Sequence, residues 1–232
     1  MNDSKQPLIL SLETSTRLGG VAILRGQEVI AEKAGEGKPS HSAQLLSDIR
    51  EILKKNDLDL KQIHLLAVAV GPGSFTGLKI GLATAKALAT ALKIPIAGIS
   101  TLEAAAACSD KDGEISVALP AGRSECFVQF FKKSPKDDLK CTSQIEIYTV
   151  KDLSEKVAEK NSLNWVSTEE IISVISEAAK NTNRNYQVLP QNLAIPIGRT
   201  AYEIFMRGNL NENPPHPVYG RGAGIGGSNN AK

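Results

Sequence analysis

The chain contains few aromatic and few cysteine residues, and these shortages exclude several classes of protein. Aromatic residues make up 4% of the 232 residues, and there are three cysteines. Cys108, Cys126 and Cys141 show no CxxC spacing and no even framework. A disulfide scaffold and a metal site are therefore both poorly supported, and a reducing compartment fits best. No apolar run approaches the roughly 18 residues of a membrane span, and no secretory leader is visible. We expect a cytoplasmic protein without membrane contact.

Charge and histidine content also argue against specialised chemistry. The formal net charge of +2 is too small to make a nucleic-acid binder without a concentrated basic face. The lysine-rich residues 132–140 are interrupted by two aspartates, and we predict a solvated loop there. His41, His64 and His216 have no partner at ligand spacing, so structural or solvent roles are expected and no metal is predicted.

The order of elements predicts an α/β protein built of two similar halves. Three short apolar or alternating runs open the chain, then a helix, a buried strand, a second helix, a further buried strand and a short helix. Ser40 is a candidate N-cap for the first of these helices. The second half repeats the order, so the sequence predicts two βββαβαβα units with a cleft between them. We place the halves at residues 1–108 and 109–219, with a last helix that could pack back on the first half.

Residues 220–232 form a glycine-rich tail. Such a segment has too few side chains to bury to offset its backbone entropy, so we expect it to be flexible.

The most informative segment is a glycine-rich turn between a buried strand and a helix: Gly71, Pro72, Gly73, Ser74, Phe75, Thr76 and Gly77. Backbone N–H groups at such a place could hold an anion. The segment nevertheless matches neither the phosphate-loop pattern GxxxxGK[ST] nor the dinucleotide pattern GxGxxG. A tight structural turn is the favoured interpretation. Phe75 is the only aromatic residue among the first 126, and it could either plug the cleft or contact a partner.

The helix after this turn has two apolar sides. Leucines and alanines form a broad stripe that suits packing on a sheet, and Lys79, Lys86, Thr90 and Lys93 form a narrow polar strip. The side opposite the leucines carries small or apolar residues: Ile80, Ala83, Thr84, Ala87 and Ala91. Small side chains let another helix approach closely, so this side and Phe75 are the predicted partner interface. The alternative is that alanine is there only as a good helix former and is simply exposed.

Residues 70–86 resemble the signature of the bacterial TsaB (YeaZ) family. Matching features occur at residues 10–16, 40–42, 99–102 and 217–219. The resemblance is strong over residues 8–107 and thin afterwards. It implies a duplicated RNase H-like fold of the actin/Hsp70 type. It also implies a role in threonylcarbamoylation of A37 in ANN-decoding tRNAs, as the non-catalytic partner of a catalytic paralogue, TsaD, together with the ATPase TsaE.

The residues depart from relatives that turn over nucleotides. Such relatives place an acid in the first hairpin of each half. Here the loop Glu13, Thr14, Ser15 and Thr16 offers a glutamate, and Pro120 stands where TsaB relatives tend to carry aspartate. The two metal-binding histidines of the catalytic paralogue are absent after residues 95–99. The loop is therefore a degenerate nucleotide loop, and no catalytic residue, metal or cofactor is predicted.

The resemblance leaves room for weak ATP or ADP binding at the interface of a complex. We expect a homodimer when the chain is alone and indirect contact with tRNA. The alternative function is an ATP-dependent small-molecule kinase or nucleotide-binding protein of the same fold.

Overall fold

The computed structural model describes residues 6–35, 41–122, 124–135, 137–159, 164–178, 184–210 and 214–219. The first half begins with an antiparallel meander of β1 (Leu8–Glu13), β2 (Gly20–Arg25) and β3 (Glu28–Ala34). Helix α1 (His41–Lys55), β4 (Leu65–Gly71), helix α2 (Phe75–Leu92), β5 (Ile96–Ser100) and helix α3 (Thr101–Ala107) follow. The sheet order is β3-β2-β1-β4-β5, with β1, β4 and β5 parallel. Ser40 lies outside the described residues.

The second half repeats this topology with one strand more than predicted. It contains β6 (Gly113–Gly122), β7 (Glu125–Ser134), β8 (Asp137–Cys141), β9 (Glu146–Thr149), α4 (Val150–Glu159), β10 (Asn164–Ser167), α5 (Glu169–Ala178), β11 (Asn185–Val188) and α6 (Ala194–Met206). The sheet order is β11-β10-β6-β7-β8, and β9 also pairs with β7.

The prediction of a loop at residues 132–140 was wrong. Lys132 continues β7 and pairs with Lys140 of β8, so the segment is largely a hairpin. Charged residues suit this position because β8 lies at the edge of the sheet, where lysine and aspartate discourage pairing with another chain.

The outer face of each sheet is covered by two helices. In the first half, leucines and isoleucines of α1 and α2 pack on alternate residues of β1, β2 and β4. In the second half, α4 and α5 contribute Leu153, Ile171 and Ile175 to a core around Trp165. The alternation of buried residues on β1 and β4 reaches both faces of the sheet, which is why these strands are continuously apolar.

The inner faces are covered by helices that come from the opposite halves. Helix α6, the last helix of the second half, packs on the first sheet through Leu193, Ile197 and Ala201. Helix α3, the last helix of the first half, packs on the second sheet through Leu102, Ala105 and Ala106. Each half therefore completes the core of the other.

Asn192 anchors α6 to the first sheet. The buried amide donates to the backbone oxygen of Val21 (3.2 Å) and to a carboxylate oxygen of Glu32 (3.1 Å). The amide oxygen accepts from the backbone N–H of Ala194 (3.0 Å) at the start of the helix. One side chain thus ties the first residue of α6 to β2 and β3.

Among the described residues, no helix has the length and apolar character needed to cross a membrane.

Candidate functional site

The site lies at the carboxyl ends of β1, β4 and β5, where the loops of the first half meet. Ligands of open α/β sheets bind at such an edge. The end of β1 contributes Glu13, which is 1% exposed. Its Oε1 accepts from the hydroxyl of Ser15 (2.6 Å) and from the backbone N–H groups of Ser15 and Thr16, and its Oε2 accepts from the Thr16 hydroxyl. Both carboxylate oxygens are therefore occupied in folding the loop itself.

The glycine-rich turn packs directly on this loop. The Thr14 hydroxyl donates to the backbone oxygen of Gly77 (2.8 Å), and the Ser74 N–H donates to the Ser15 oxygen (2.7 Å). A Cβ at Gly77 would lie 1.8 Å from the Thr14 carbonyl oxygen, and one at Gly73 would lie 2.4 Å from the Ser15 oxygen. Glycine is required at both positions because backbone meets backbone there. These close approaches give a packing reason for the two glycines, and the structural interpretation of the turn stays a prediction.

The donors that could hold a phosphate at the start of α2 are partly used within the chain. Ser74 is the N-cap of the helix, and its hydroxyl accepts from the Gly77 N–H (3.2 Å). The Leu78 N–H donates to the Ser74 carbonyl oxygen (2.8 Å). A metal-bound nucleotide needs free carboxylate oxygens and free N–H groups at this edge. In the isolated chain the Ser74 hydroxyl and the Gly77 and Leu78 N–H groups are used within the turn and are not free for such a group.

The second half offers no second acid at the corresponding place. Pro120 stands in β6, opposite Cys126 of β7, and it has neither a charge nor an N–H. Within the described ranges, no group of three or more His, Cys, Asp or Glu side chains is close enough to hold a metal ion.

A third segment of the edge comes from the start of α3. The Thr101 hydroxyl is 2.9 Å from the Ser15 hydroxyl, and both residues are buried. Glu103 follows in the first turn of α3, and burial raises the pKa of its carboxyl above the usual range. No motif in the sequence points to Glu103.

Residues 214–219 close the edge from outside. Val218 donates its N–H to the Val70 oxygen (2.7 Å), and its own carbonyl oxygen lies against Gly71, whose φ of +105° also favours glycine. Pro215 packs over Gly98 of β5. These contacts join the end of the described chain to the glycine-rich turn, and sequence spacing gave no signal for them.

Phe75 lies on the surface beside this segment. Its side chain is 53% exposed, and its ring centroid is 5.2 Å from that of Tyr219. The Lys79 ammonium lies 3.9 Å from the Phe75 ring centroid. Phe75 therefore does not plug a cleft, and its exposed ring could contact a partner.

The helix face predicted as an interface is open in the chain. Ala83, Ala87 and Ala91 are exposed, whereas Ile80 and Thr84 are half-buried and Ile80 packs against the outer core of the first half. Leu46 of α1 is also exposed, at 51%. The partner interface on this face stays a prediction.

The histidines and cysteines have local surroundings. His64 is exposed, and its Nδ1 accepts from the Leu8 N–H (3.1 Å), so it secures the start of β4 beside β1. His216 is exposed, and the side chain of His41 lies outside the described residues. Burial raises the pKa of both the Cys108 and the Cys126 thiols to about 11. Neither thiol is therefore poised as a nucleophile at neutral pH.

Comparison with known proteins identifies the family. A family model described as TsaD, tRNA N6-adenosine threonylcarbamoyltransferase, matches residues 28–185. A Bacillus subtilis protein named tRNA threonylcarbamoyladenosine biosynthesis protein TsaB is 37% identical over 125 residues, which are 53% of this chain and 55% of that protein. A Buchnera aphidicola protein of the same name is 28% identical over 193 residues, 79% of this chain and 84% of its own length. The chain belongs to the TsaB/YeaZ group of the TsaD family. The aligned stretch spans about half the length of the Bacillus subtilis TsaB protein.

A solved structure of YeaZ from Pseudomonas aeruginosa shares the fold. It superposes with a TM-score of 0.70 at 21% identity, covering 92% of this chain and 99% of that one. The resemblance drawn from residues 70–86 and the duplicated RNase H-like fold are both confirmed.

Proposed function

We propose that this TsaB/YeaZ member is a non-catalytic subunit in the synthesis of threonylcarbamoyladenosine at A37 of ANN-decoding tRNAs. It binds the catalytic paralogue TsaD and, with it, the ATPase TsaE, and it forms a homodimer when alone. The names of its relatives support the pathway.

The observation that carries the non-catalytic role is the state of Glu13. Four donors of the chain's own loop hold its carboxylate, and the glycine-rich turn packs on that loop with no room for even a methyl group at Gly77. A group that supports nucleotide turnover would instead present a free carboxylate to a metal ion. With Pro120 in the second half, the chain lacks both acids in usable form.

The exposed face of α2 supports the role of a binding partner. Three alanines in successive turns, at 83, 87 and 91, leave a shallow surface without charge, which another helix can approach closely. Leu46 on α1, which packs against α2, is a further exposed apolar side chain of this half. Burying such a surface gives association without requiring a cavity.

Reconstitution tests the proposal. Purified chain, TsaD and TsaE are mixed with an unmodified ANN-decoding tRNA, ATP and the donor of the threonylcarbamoyl group. We expect modification only when the chain is present, and no modification and no ATP turnover near 1 per second by the chain alone. Modification of equal rate without the chain, or ordinary turnover by the chain alone, would refute the role.

A further inference from the structure

The edge of the first half beside α2 and β5 is basic and aromatic. Lys79 and Lys86 stand one heptad apart on α2, about 10 Å along the axis, and Lys93 follows as the C-cap. At 100° per residue the first two lie within about 20° of each other, on one side of the helix. Lys79 and Lys93 are exposed and Lys86 is half-exposed. We call these three lysines, with Phe75 and Tyr219, the basic-aromatic strip.

The lysines of the strip are not neutralised by carboxylates. In the part of the chain that the structure describes, none of them has an ion-pair partner, in contrast to Lys33, which pairs with Asp48 (2.7 Å) and Glu51. Helix α2, strand β5 and residues 214–219 also contain no acidic residue. The edge therefore presents positive charge without local compensation, which favours an anionic partner.

The aromatic pair adds a second kind of contact at one end of the strip. Phe75 and Tyr219 remain 53% and 40% exposed although their rings touch each other. Val218 is a further exposed apolar side chain beside them, at 40%. Exposed rings next to a row of cations form the combination that binds single-stranded nucleic acid, because bases stack on the rings and phosphates lie along the cations.

The segment that carries Tyr219 also borders a pocket with room for a base. A pocket of about 360 Å³ opens between β5, the end of α6 and residues 214–216. Its lining mixes apolar side chains with Asn209 and His216, which offer hydrogen-bonding groups. In the sequence, Tyr219 is followed by residues 220–232, which carry Arg221 and Lys232 and no acid.

We infer that the basic-aromatic strip binds a single-stranded RNA segment directly, rather than leaving RNA contact to a partner. The inference rests on the proposed function in one respect, because that function identifies the RNA as a tRNA loop. The lysines lie roughly 100° around α2 from Ala87, whereas Phe75 belongs both to the strip and to the predicted partner interface, so the two surfaces meet at the start of the helix. An acidic protein segment would use the lysines but would gain little from the two rings.

Fluorescence anisotropy of the full chain tests this with a fluorescein-labelled single-stranded RNA of twelve nucleotides. We expect binding that weakens with salt, and the variant Lys79→Glu/Lys86→Glu should bind at least tenfold more weakly. The slope of log affinity against log salt should fall by roughly 0.7 for each lysine removed. Tyr219→Ala should weaken binding about tenfold with the salt slope unchanged, because it removes stacking and not charge.

Lys111→Glu is the control, since it makes the same charge change as each of the two strip substitutions, half that of the double variant, at an exposed lysine before β6. It should bind RNA as the unaltered chain does, and circular dichroism should show all variants folded. The inference would be overturned if Lys111→Glu weakened RNA binding as much as the strip variant does. It would also be overturned if a poly-glutamate twelve-mer bound as tightly as the RNA and Tyr219→Ala left that binding unchanged. Unaltered RNA binding by Lys79→Glu/Lys86→Glu would overturn it as well.

The two proposals can fail separately. If reconstituted tRNA modification needs the chain but the strip variants bind RNA normally, the strip is wrong and the subunit role stands. If the strip variants lose RNA binding but modification proceeds without the chain, the RNA site stands and the subunit role is wrong.

Discussion

Glu103 is a carboxyl held in the first turn of α3 between the two halves. Burial raises the pKa of its side chain above the ordinary value of 4.5. The unfolded chain therefore loses this proton at a lower pH than the folded chain does. As pH rises from the unfolded-state pKa through the raised folded-state pKa, the buried carboxyl lowers the free energy of unfolding. We expect Glu103→Gln to increase the free energy of unfolding at pH 7 and to change it little below about pH 4.

Urea denaturation across that pH range measures the Glu103 effect. Glu114→Gln, at an exposed position on β6, is the matched control and should leave the difference flat with pH. A stability gain of the same size at every pH would contradict the explanation, because the amide would then be acting through packing.

Gly77 is the residue at which the glycine-rich turn and the β1–β2 loop come closest. We expect Gly77→Ala to cost about 1–3 kcal/mol in unfolding free energy, because its Cβ would overlap the Thr14 carbonyl oxygen and backbone must move. Thr76→Ala, on the exposed neighbour, should stay within about 0.5 kcal/mol of the unaltered chain. Equal urea unfolding midpoints for Gly77→Ala and Thr76→Ala would show that the β1–β2 loop moves aside at little cost.

Among the secondary-structure elements, α2 carries the predicted partner face. We expect Ala87→Arg to leave the chain folded but to abolish homodimer and TsaD association, since an unpaired charge would be buried at the contact. Analytical ultracentrifugation and a pull-down with TsaD measure this. Val174→Arg, at an exposed position of α5, is the control and should associate normally. Normal association of Ala87→Arg with normal melting would place the interface elsewhere.

The elements differ in how far sequence could predict them. The apolar stripe of α2 fixes its buried side, and Leu78, Leu82, Ala85 and Ala89 are indeed buried. Strand β8 was not predicted because its charged side chains are typical of a loop. It forms a strand through its backbone pairing with β7. The glycine-rich turn was predicted as structural, but its contacts to Thr14 and Ser15 join residues about 60 apart in sequence, which no local pattern reports.

At the scale of the whole molecule, the exchange of inner helices decides how the halves behave. Sequence order suggested only that the last helix could return to the first half, because burial on a distant sheet depends on tertiary packing. In the structure α6 fills the first sheet and α3 fills the second. Neither sheet keeps a complete core without the other half, so the chain should unfold as one cooperative unit.

Ile197→Ala tests this cooperativity because the altered residue and the optical probe lie in different halves. Ile197 is fully buried on the first sheet, and Trp165, the only tryptophan, is buried in the second. Truncating Ile197 should cost about 2–5 kcal/mol. If the halves are locked, the urea midpoint followed by Trp165 fluorescence should fall as far as that followed by circular dichroism. Val188→Ala, at an exposed residue of β11, should leave both midpoints unchanged. The contrary result would be an unchanged fluorescence midpoint together with a circular dichroism transition that splits in two. The halves would then fold independently, and the exchanged helices would touch the opposite sheets without coupling them.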